Sequence, residues 1–286
     1  MQIIEERIKE YKPANKEEEL NAFKEIVQEI ILSSLSRVDF FKQAAFQGGT
    51  CLRIVHGLNR FSEDMDFILF QANSEFKWSH FFHEIDLEFS GYGLQLEVKD
   101  RSKAEDIVKK AFLKEHSFEK VLKLIYERTL SDIRVVNIKL EIDTNPSMGS
   151  HFESKVIKFP EPFSIVTQDL PSLFSGKVHA LLCREYIKGR DWFDFVWYTS
   201  KKTTINLLSL KNALIQQGPW KGASLDINDK WVNEMLIEKI KTIDWETTKK
   251  DVQPFLRGRQ QRTLDLWNQD FFIEIVNTRP TSQTLQ

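Results

Sequence analysis

Two aspartates two residues apart, Asp64 and Asp66, open a run of strand formers that continues as Phe67-Ile68-Leu69-Phe70. A stretch this short, bounded by polar residues and rich in aromatic and aliphatic side chains, reads as a β-strand. On a strand, residues two apart share a face, so both carboxylates project together, roughly 6–7 Å apart. Like charges on one face repel, and strands disfavour aspartate. A hard divalent cation between the two removes the conflict, because Mg²⁺ takes oxygen ligands and keeps positions open for substrate phosphates. Taken alone, the pair also fits a solvated strand end with capping aspartates.

Three further constellations bear on that choice. Upstream, Gly48-Gly49-Thr50 precedes a short helical pattern, Thr50 to His56, that stops at Gly57. Two glycines let backbone approach a ligand closely, and amides at a helix N-terminus bind phosphate. Downstream, Val135 to Asp143 alternates as a strand, with Ile138, Leu140 and Ile142 on one face and Lys139, Glu141 and Asp143 on the other. Asp143 ends the polar face and could join the aspartate pair, as two-metal phosphoryl chemistry requires; Glu141 shares the face and is the weaker candidate. Finally, Lys177, Leu181 and Arg184 share a helical face, followed by Arg190, Asp191 and Asp194. Asp191 is placed to N-cap the next helix, and a cation here would neutralise triphosphate charge.

The remaining pattern gives an α+β organisation. Residues 16–46 and 75–89 read as helix and Leu94 to Lys99 as strand. Residues 103–130 are ambiguous, with Phe118 to Glu127 leaning helical. After Pro171 the reading is helical over 172–187, 192–200, 206–217, 229–241 and 260–275, and six of the seven tryptophans lie beyond residue 190. That shift suggests a second core and a boundary near residue 168, dividing a mixed-sheet domain over 1–168 from a helical bundle over 169–286.

Composition excludes several classes. No apolar run approaches the roughly 20 residues of a membrane span, and the charged N-terminus lacks the apolar core of a signal peptide, so the cytoplasm is expected. Cys51 and Cys183 are the only cysteines, too few for a disulfide scaffold or a cysteine zinc site. The six histidines form no H-x-x-x-H array, and no G-x-x-x-x-G-K-[ST] occurs. His56 reads as a helix-end residue. Net charge is −2, so contact with nucleic acid would rely on local clusters such as Lys109-Lys110, Lys201-Lys202 and Arg257 to Arg262.

Phe46-Gln47-Gly48-Gly49-Thr50-Cys51-Leu52-Arg53 and Gly57 to Phe67, with its Ser62-Glu63-Asp64-Met65-Asp66 core, resemble the signature of AbiEii/AbiGii-type nucleotidyltransferase toxins. These belong to the DNA polymerase β-like nucleotidyltransferase superfamily. Lys139 to Pro146, and Lys177 to Leu182 running on to Gly189-Arg190-Asp191-Trp192-Phe193-Asp194, are similar to later blocks of that family. The resemblance implies a nucleotidyltransferase fold with a helical C-terminal domain, an NTP substrate, Mg²⁺ or Mn²⁺, and a partner antitoxin. Some relatives add nucleotides to tRNA 3′ ends, which makes RNA the expected acceptor. Carried over by position, Gly48, Gly49, Thr50, Arg53 and Lys177 would bind the nucleotide. Asp64, Asp66 and Asp143 would hold metal, with Lys177 and Asp191 or Asp194 completing the pocket. Thr50 stands where the wider superfamily usually has serine. Two rival functions remain: an antibiotic-type adenylyltransferase with a small hydroxylated acceptor, and a silent module that binds nucleotide or a partner without turnover.

Overall fold

A computed structural model describes residues 2–99, 117–127 and 133–281. Its first long helix, α2 (Lys16–Arg37), follows a short α1 (Gln2–Tyr11) and is started by Asn15, whose side chain accepts from Glu18 N at 2.9 Å. Phe23, Ile26, Val27, Ile30 and Ile31 are the buried stripe that the spacing predicts. The helix ends at Arg37, not at residue 46. Asp39 takes a left-handed φ of 58°, and Ala44–Gln47 then becomes strand β1. Ala44, Ala45 and Phe46 are buried between two strands that use their backbone groups, and that pairing outweighs the helical character of the local sequence.

β1 passes directly into α3 (Gly48–His56), which closes at Gly57 in the left-handed conformation, with Leu58 N donating to Leu52 O at 3.0 Å. Strand β2 (Asp64–Leu69), helix α4 (Ser79–Gly91) and strands β3 (Gln95–Lys99), β4 (Ser117–Glu127), β5 (Ile133–Asp143), β6 (Phe152–Ile157) and β7 (Phe163–Gln168) complete the first part. Phe118 to Glu127 is therefore strand, where its local sequence leans helical. Its backbone is paired on both sides, to β3 and along its length to β5. The rest of the ambiguous stretch, with Lys109-Lys110, lies outside the described residues.

The seven described strands form one mixed sheet in the order β3-β4-β5-β2-β1-β7-β6. β1/β2 and β4/β5 are antiparallel, whereas β2/β5 and β1/β7 are parallel. This places β2 at the centre, with the glycine turn after β1 on one side and the acidic strand β5 on the other.

After Gln168 the described chain is helical: α5 (Leu170–Cys183), α6 (Gly189–Ser200), α7 (Leu207–Gln216), α8 (Asp229–Lys241), α9 (Trp245–Val252), α10 (Arg259–Thr263) and α11 (Gln269–Thr278). The single helix expected over 260–275 is broken at Trp267, and α9 fills a stretch the sequence pattern left unassigned. Trp192, Trp245, Trp267 and Phe272 pack edge-to-face or stacked, with centroids 4.1–6.4 Å apart. They belong to a connected cluster of buried apolar residues that runs from Ile4 to Val276. No helix among the described residues is long and apolar enough to cross a membrane.

Candidate active site

The central strand carries the site. Gly48 sits at the turn from β1 into α3 with φ +78°, a conformation glycine adopts without the Cβ penalty. A Cβ there would stand 2.9 Å from Asp66 Cβ and 3.0 Å from its Cγ, so the Gly48 main chain lies against the Asp66 side chain. Gln47, the residue before the helix, offers no side-chain cap. The first-turn amides of α3, which have no intrahelical acceptors, are thus placed beside Asp66. Thr50 is buried, and its hydroxyl donates to the Asp64 carbonyl, tying α3 to β2.

Asp64 and Asp66 are half-buried on one face of β2. The parallel register with β5 sets Asp66 opposite Glu141, while Asp143 lies one pleat further on, opposite Ile68. Glu141 is therefore the backbone neighbour of the aspartate pair, a relation that spacing within β5 alone could not reveal. Lys139, opposite Asp64, pairs with Glu141 at 3.0 Å, and Asp143 Oδ1 accepts from Asn145 N at 2.9 Å. Among the described residues no three carboxylate, histidine or cysteine side chains form a closed metal cage. The donor chemistry nevertheless fits Mg²⁺, which binds through one or two carboxylates plus substrate phosphates.

Behind the glycine turn runs a buried ion network. Arg60 grips Asp194 with two bonds of 2.7 Å, and the two side chains are 3% and 0% exposed. A Cβ on Gly49 would come within 2.6 Å of Arg60 Nη2, so the second glycine rests on this guanidinium. Lys177 on α5 bridges Asp194 at 2.9 Å and Asp191 at 2.6 Å. Arg184 pairs with Asp191 and also feels the charge of Asp66. Burial pushes the Asp191 carboxyl up, but Lys177 and Arg184 outweigh it and hold the group well below the usual carboxylate range. Asp191 is not a helix cap: α6 begins at Gly189, and Asp191 sits in its first turn facing the two cations.

Lys177, Asp191 and Asp194 are thus brought together and joined to the glycine turn. Arg60 is the link that sequence reasoning missed; its one signal was its place in the block running into Asp64. Arg53 faces elsewhere, donating to Glu25 at 2.8 Å and to the Leu58 carbonyl at 2.9 Å. His56 ends α3, and burial holds it down to about 4, so it is neutral at physiological pH. Of the basic clusters, Arg257 to Arg262 closely follows Phe255, whose carbonyl accepts from Phe61 N at 3.1 Å in the segment entering β2. Arg190 stacks on Phe255 at 4.2 Å and Arg257 on Phe61 at 4.4 Å, while Arg259 and Arg262 are exposed. Lys201-Lys202 follows the far end of α6. A larger cavity, about 530 Å³, lies between α1, α3 and β6 and is lined by none of these site residues.

A family model described as "Nucleotidyl transferase AbiEii toxin, Type IV TA system" matches residues 30–271. No curated protein matches the chain. The solved structure of JHP933 from Helicobacter pylori is similar at 16% identity and TM-score 0.53, covering 91% of this chain and 90% of that one. A candidate nucleotidyltransferase of H. pylori is similar at 17% identity and TM-score 0.50, covering 88% and 90%. At such identities the likeness establishes a shared fold.

Proposed function

This chain belongs to the AbiEii nucleotidyltransferase toxin family, and on that premise we propose that it moves a nucleoside monophosphate from an NTP to a hydroxyl of RNA, with tRNA the expected acceptor. We assign catalysis to a nucleotidyltransferase domain over 1–168 and a helical domain over 169–286, acting in the cytoplasm as the toxin of a toxin–antitoxin pair. The observation that carries the reading is the approach of the Gly48 main chain to Asp66, beside Asp64 and at the N-terminus of α3.

The α3 amides bind the NTP phosphates, and Lys177 and Arg184 offset their charge from the α5 side. Asp64 and Asp66 would hold a divalent cation, Mg²⁺ or Mn²⁺, with Glu141 favoured by register over Asp143 as the third carboxylate; such an ion would supply charge neutralisation of the phosphates and a lowered pKa for the attacking hydroxyl. That hydroxyl forms a bond to the α-phosphorus as the bond to pyrophosphate breaks, and the site carboxylates accept its proton. Pyrophosphate departs toward Lys177. The arginines at 190 and 257–262, beside the strand entry, support a polyanionic acceptor.

Incubation with each α-labelled NTP, Mg²⁺ and total RNA tests the reading. Label should appear on RNA, and RNA binding should weaken steeply with salt. Label confined to small hydroxylated compounds, with no salt dependence, would replace RNA by a small-molecule acceptor.

A further inference from the structure

Strand β6 (Phe152–Ile157) lies at one edge of the sheet, and among the described residues its sole strand partner is β7. Exposed edges invite pairing with another chain, and proteins commonly guard them with a proline, a bulge or an unpaired lysine. β6 has none of these. Its ladder to β7 runs through six consecutive residue pairs without a bulge, no proline interrupts it, and Lys155 pairs with Glu153 at 2.9 Å. Phe152 and Val156 are exposed, Val156 to 66%. The cavity of about 530 Å³ is lined by every residue from Lys155 to Phe159, from both faces of the chain. It therefore runs along the edge and separates α1 from it.

Backbone geometry dictates which residues face outward. His151 O accepts from Asp169 N, directly opposite, at 3.0 Å. Hydrogen-bonded and non-hydrogen-bonded pairs alternate along an antiparallel ladder, so Glu153, Lys155 and Ile157 direct their backbone groups to β7. Phe152, Ser154 and Val156 turn theirs to the open edge. Ser164, opposite Val156, agrees: its carbonyl accepts from Ser36 Oγ of α2 at 2.7 Å. A second strand must meet β6 through residues 152, 154 and 156. When that strand is β6 of another copy, running antiparallel, charge selects one register. With Ser154 opposite Ser154, Phe152 faces Val156 twice and Glu153 faces Lys155 twice. A shift by two residues sets Glu153 against Glu153 in one direction and Lys155 against Lys155 in the other. Like charges directly opposite destabilise, whereas unlike charges and apolar pairs stabilise. Glu153 and Lys155 also fall at the non-hydrogen-bonded positions, where side chains come closest. This edge is complementary to itself read backwards.

We propose that the chain forms a two-fold dimer through antiparallel β6–β6 pairing, the axis passing through Ser154 and the two sheets continuing as one. Such an interface is isologous: each contact occurs twice, and the assembly closes by covering the β6 edge of both copies. The four charges alternate around a square, each glutamate with one lysine beside it and one across. The incoming chain's residues 149–151 lie along 157–159, where the cavity beside α1 gives them room. Strands β1 and β2 sit inside the sheet, so the pairing uses none of the candidate active-site residues.

Sedimentation velocity of the full chain without nucleotide, over about 1–100 μM, tests this, since mass action fills a dimer as concentration rises. Wild type should pass from monomer to dimer and no further. Ser154→Pro removes an N–H that faces the edge and none that bonds β7, so it should stay monomeric throughout and still melt cooperatively. Glu153→Lys sets lysine against lysine in both halves, and Lys155→Glu sets glutamate against glutamate; each should weaken the dimer at least about tenfold. Mixed together, these two variants should dimerise with each other, because every lysine then faces a glutamate across the axis. An effect of either substitution on its own fold would not be rescued by mixing. Should Ser154→Pro not fold, the charge variants, on a partly exposed ion pair, decide the question. Wild type that stays monomeric, leaving the edge to some other strand, would overturn the proposal. So would a larger oligomer, a dimer that Ser154→Pro leaves intact, or charge variants that fail to combine.

Discussion

Removing the Asp194 carboxylate exposes how much the glycine turn depends on the helices behind it. Asp194 is fully buried and receives two charge-assisted bonds of 2.7 Å from Arg60, plus Lys177 at 2.9 Å. Such bonds contribute about 1.5–3 kcal/mol each, and breaking a buried pair by removing one partner costs about 3–5 kcal/mol because the other charge is stranded. Asp194→Asn keeps the shape and removes the charge, so we expect a loss of about 3–5 kcal/mol from a total on the order of 5–15. At about 2 °C per kcal/mol for a chain of this size, Tm should fall about 6–10 °C. Urea and thermal unfolding measure it. A double variant, Arg60→Met with Asp194→Leu, should recover much of the loss, since apolar replacement of a buried pair is often neutral or better. Asp194→Asn within 1 kcal/mol of wild type, or a double variant as unstable as the sum of the singles, would refute the idea that this pair carries the join.

Gly48→Ala places a methyl against Asp66 and strains a left-handed residue; kcat/KM should fall about hundredfold, through misplacement of the turn, with only a small drop in Tm. Lys177→Ala leaves Asp191 and Asp194 buried with less neutralisation, so it should both weaken NTP binding and lower Tm by calorimetry. Burial pushes the Glu29 carboxyl up to about 7 even though Arg7 pairs with it. A raised folded pKa means that the native state binds the extra proton, so this group's contribution to stability falls as pH rises from about 4.5 to about 7. Glu29→Gln should therefore flatten the pH–stability curve across that window, by up to about 3 kcal/mol, in urea titrations at successive pH values; a curve parallel to wild type would contradict the assignment.

Local signals made parts of the fold legible. The stop of α3 at Gly57 follows from glycine's tolerance of the left-handed conformation, and β2 and β5 follow from alternation of apolar with acidic residues. β1 and β4 were not legible, because Ala44-Ala45-Phe46 and Phe118 to Glu127 become strands only through neighbours brought from elsewhere. The same distinction runs through the site. The Asp64–Asp66 pair is a property of one strand, and its residues could be named from spacing. That Glu141 stands opposite Asp66 depends on interstrand register, which no single segment encodes. Arg60 and Asp194 meet across 134 residues of sequence, and neither side chain marks the other beforehand.

The central claim is that Asp66 serves the transfer chemistry directly. Asp66→Asn retains the strand, the glycine turn and nearly the same side-chain volume while removing the charge. Transfer of label from α-labelled NTP to RNA in Mg²⁺, measured beside a thermal melt of the same preparation, isolates that change. We expect a Tm within a few degrees of wild type and a loss of transfer of about a thousandfold or more, as for removal of a principal electrostatic contributor to the transition state. A folded Asp66→Asn that transfers label at the wild-type rate would contradict the account.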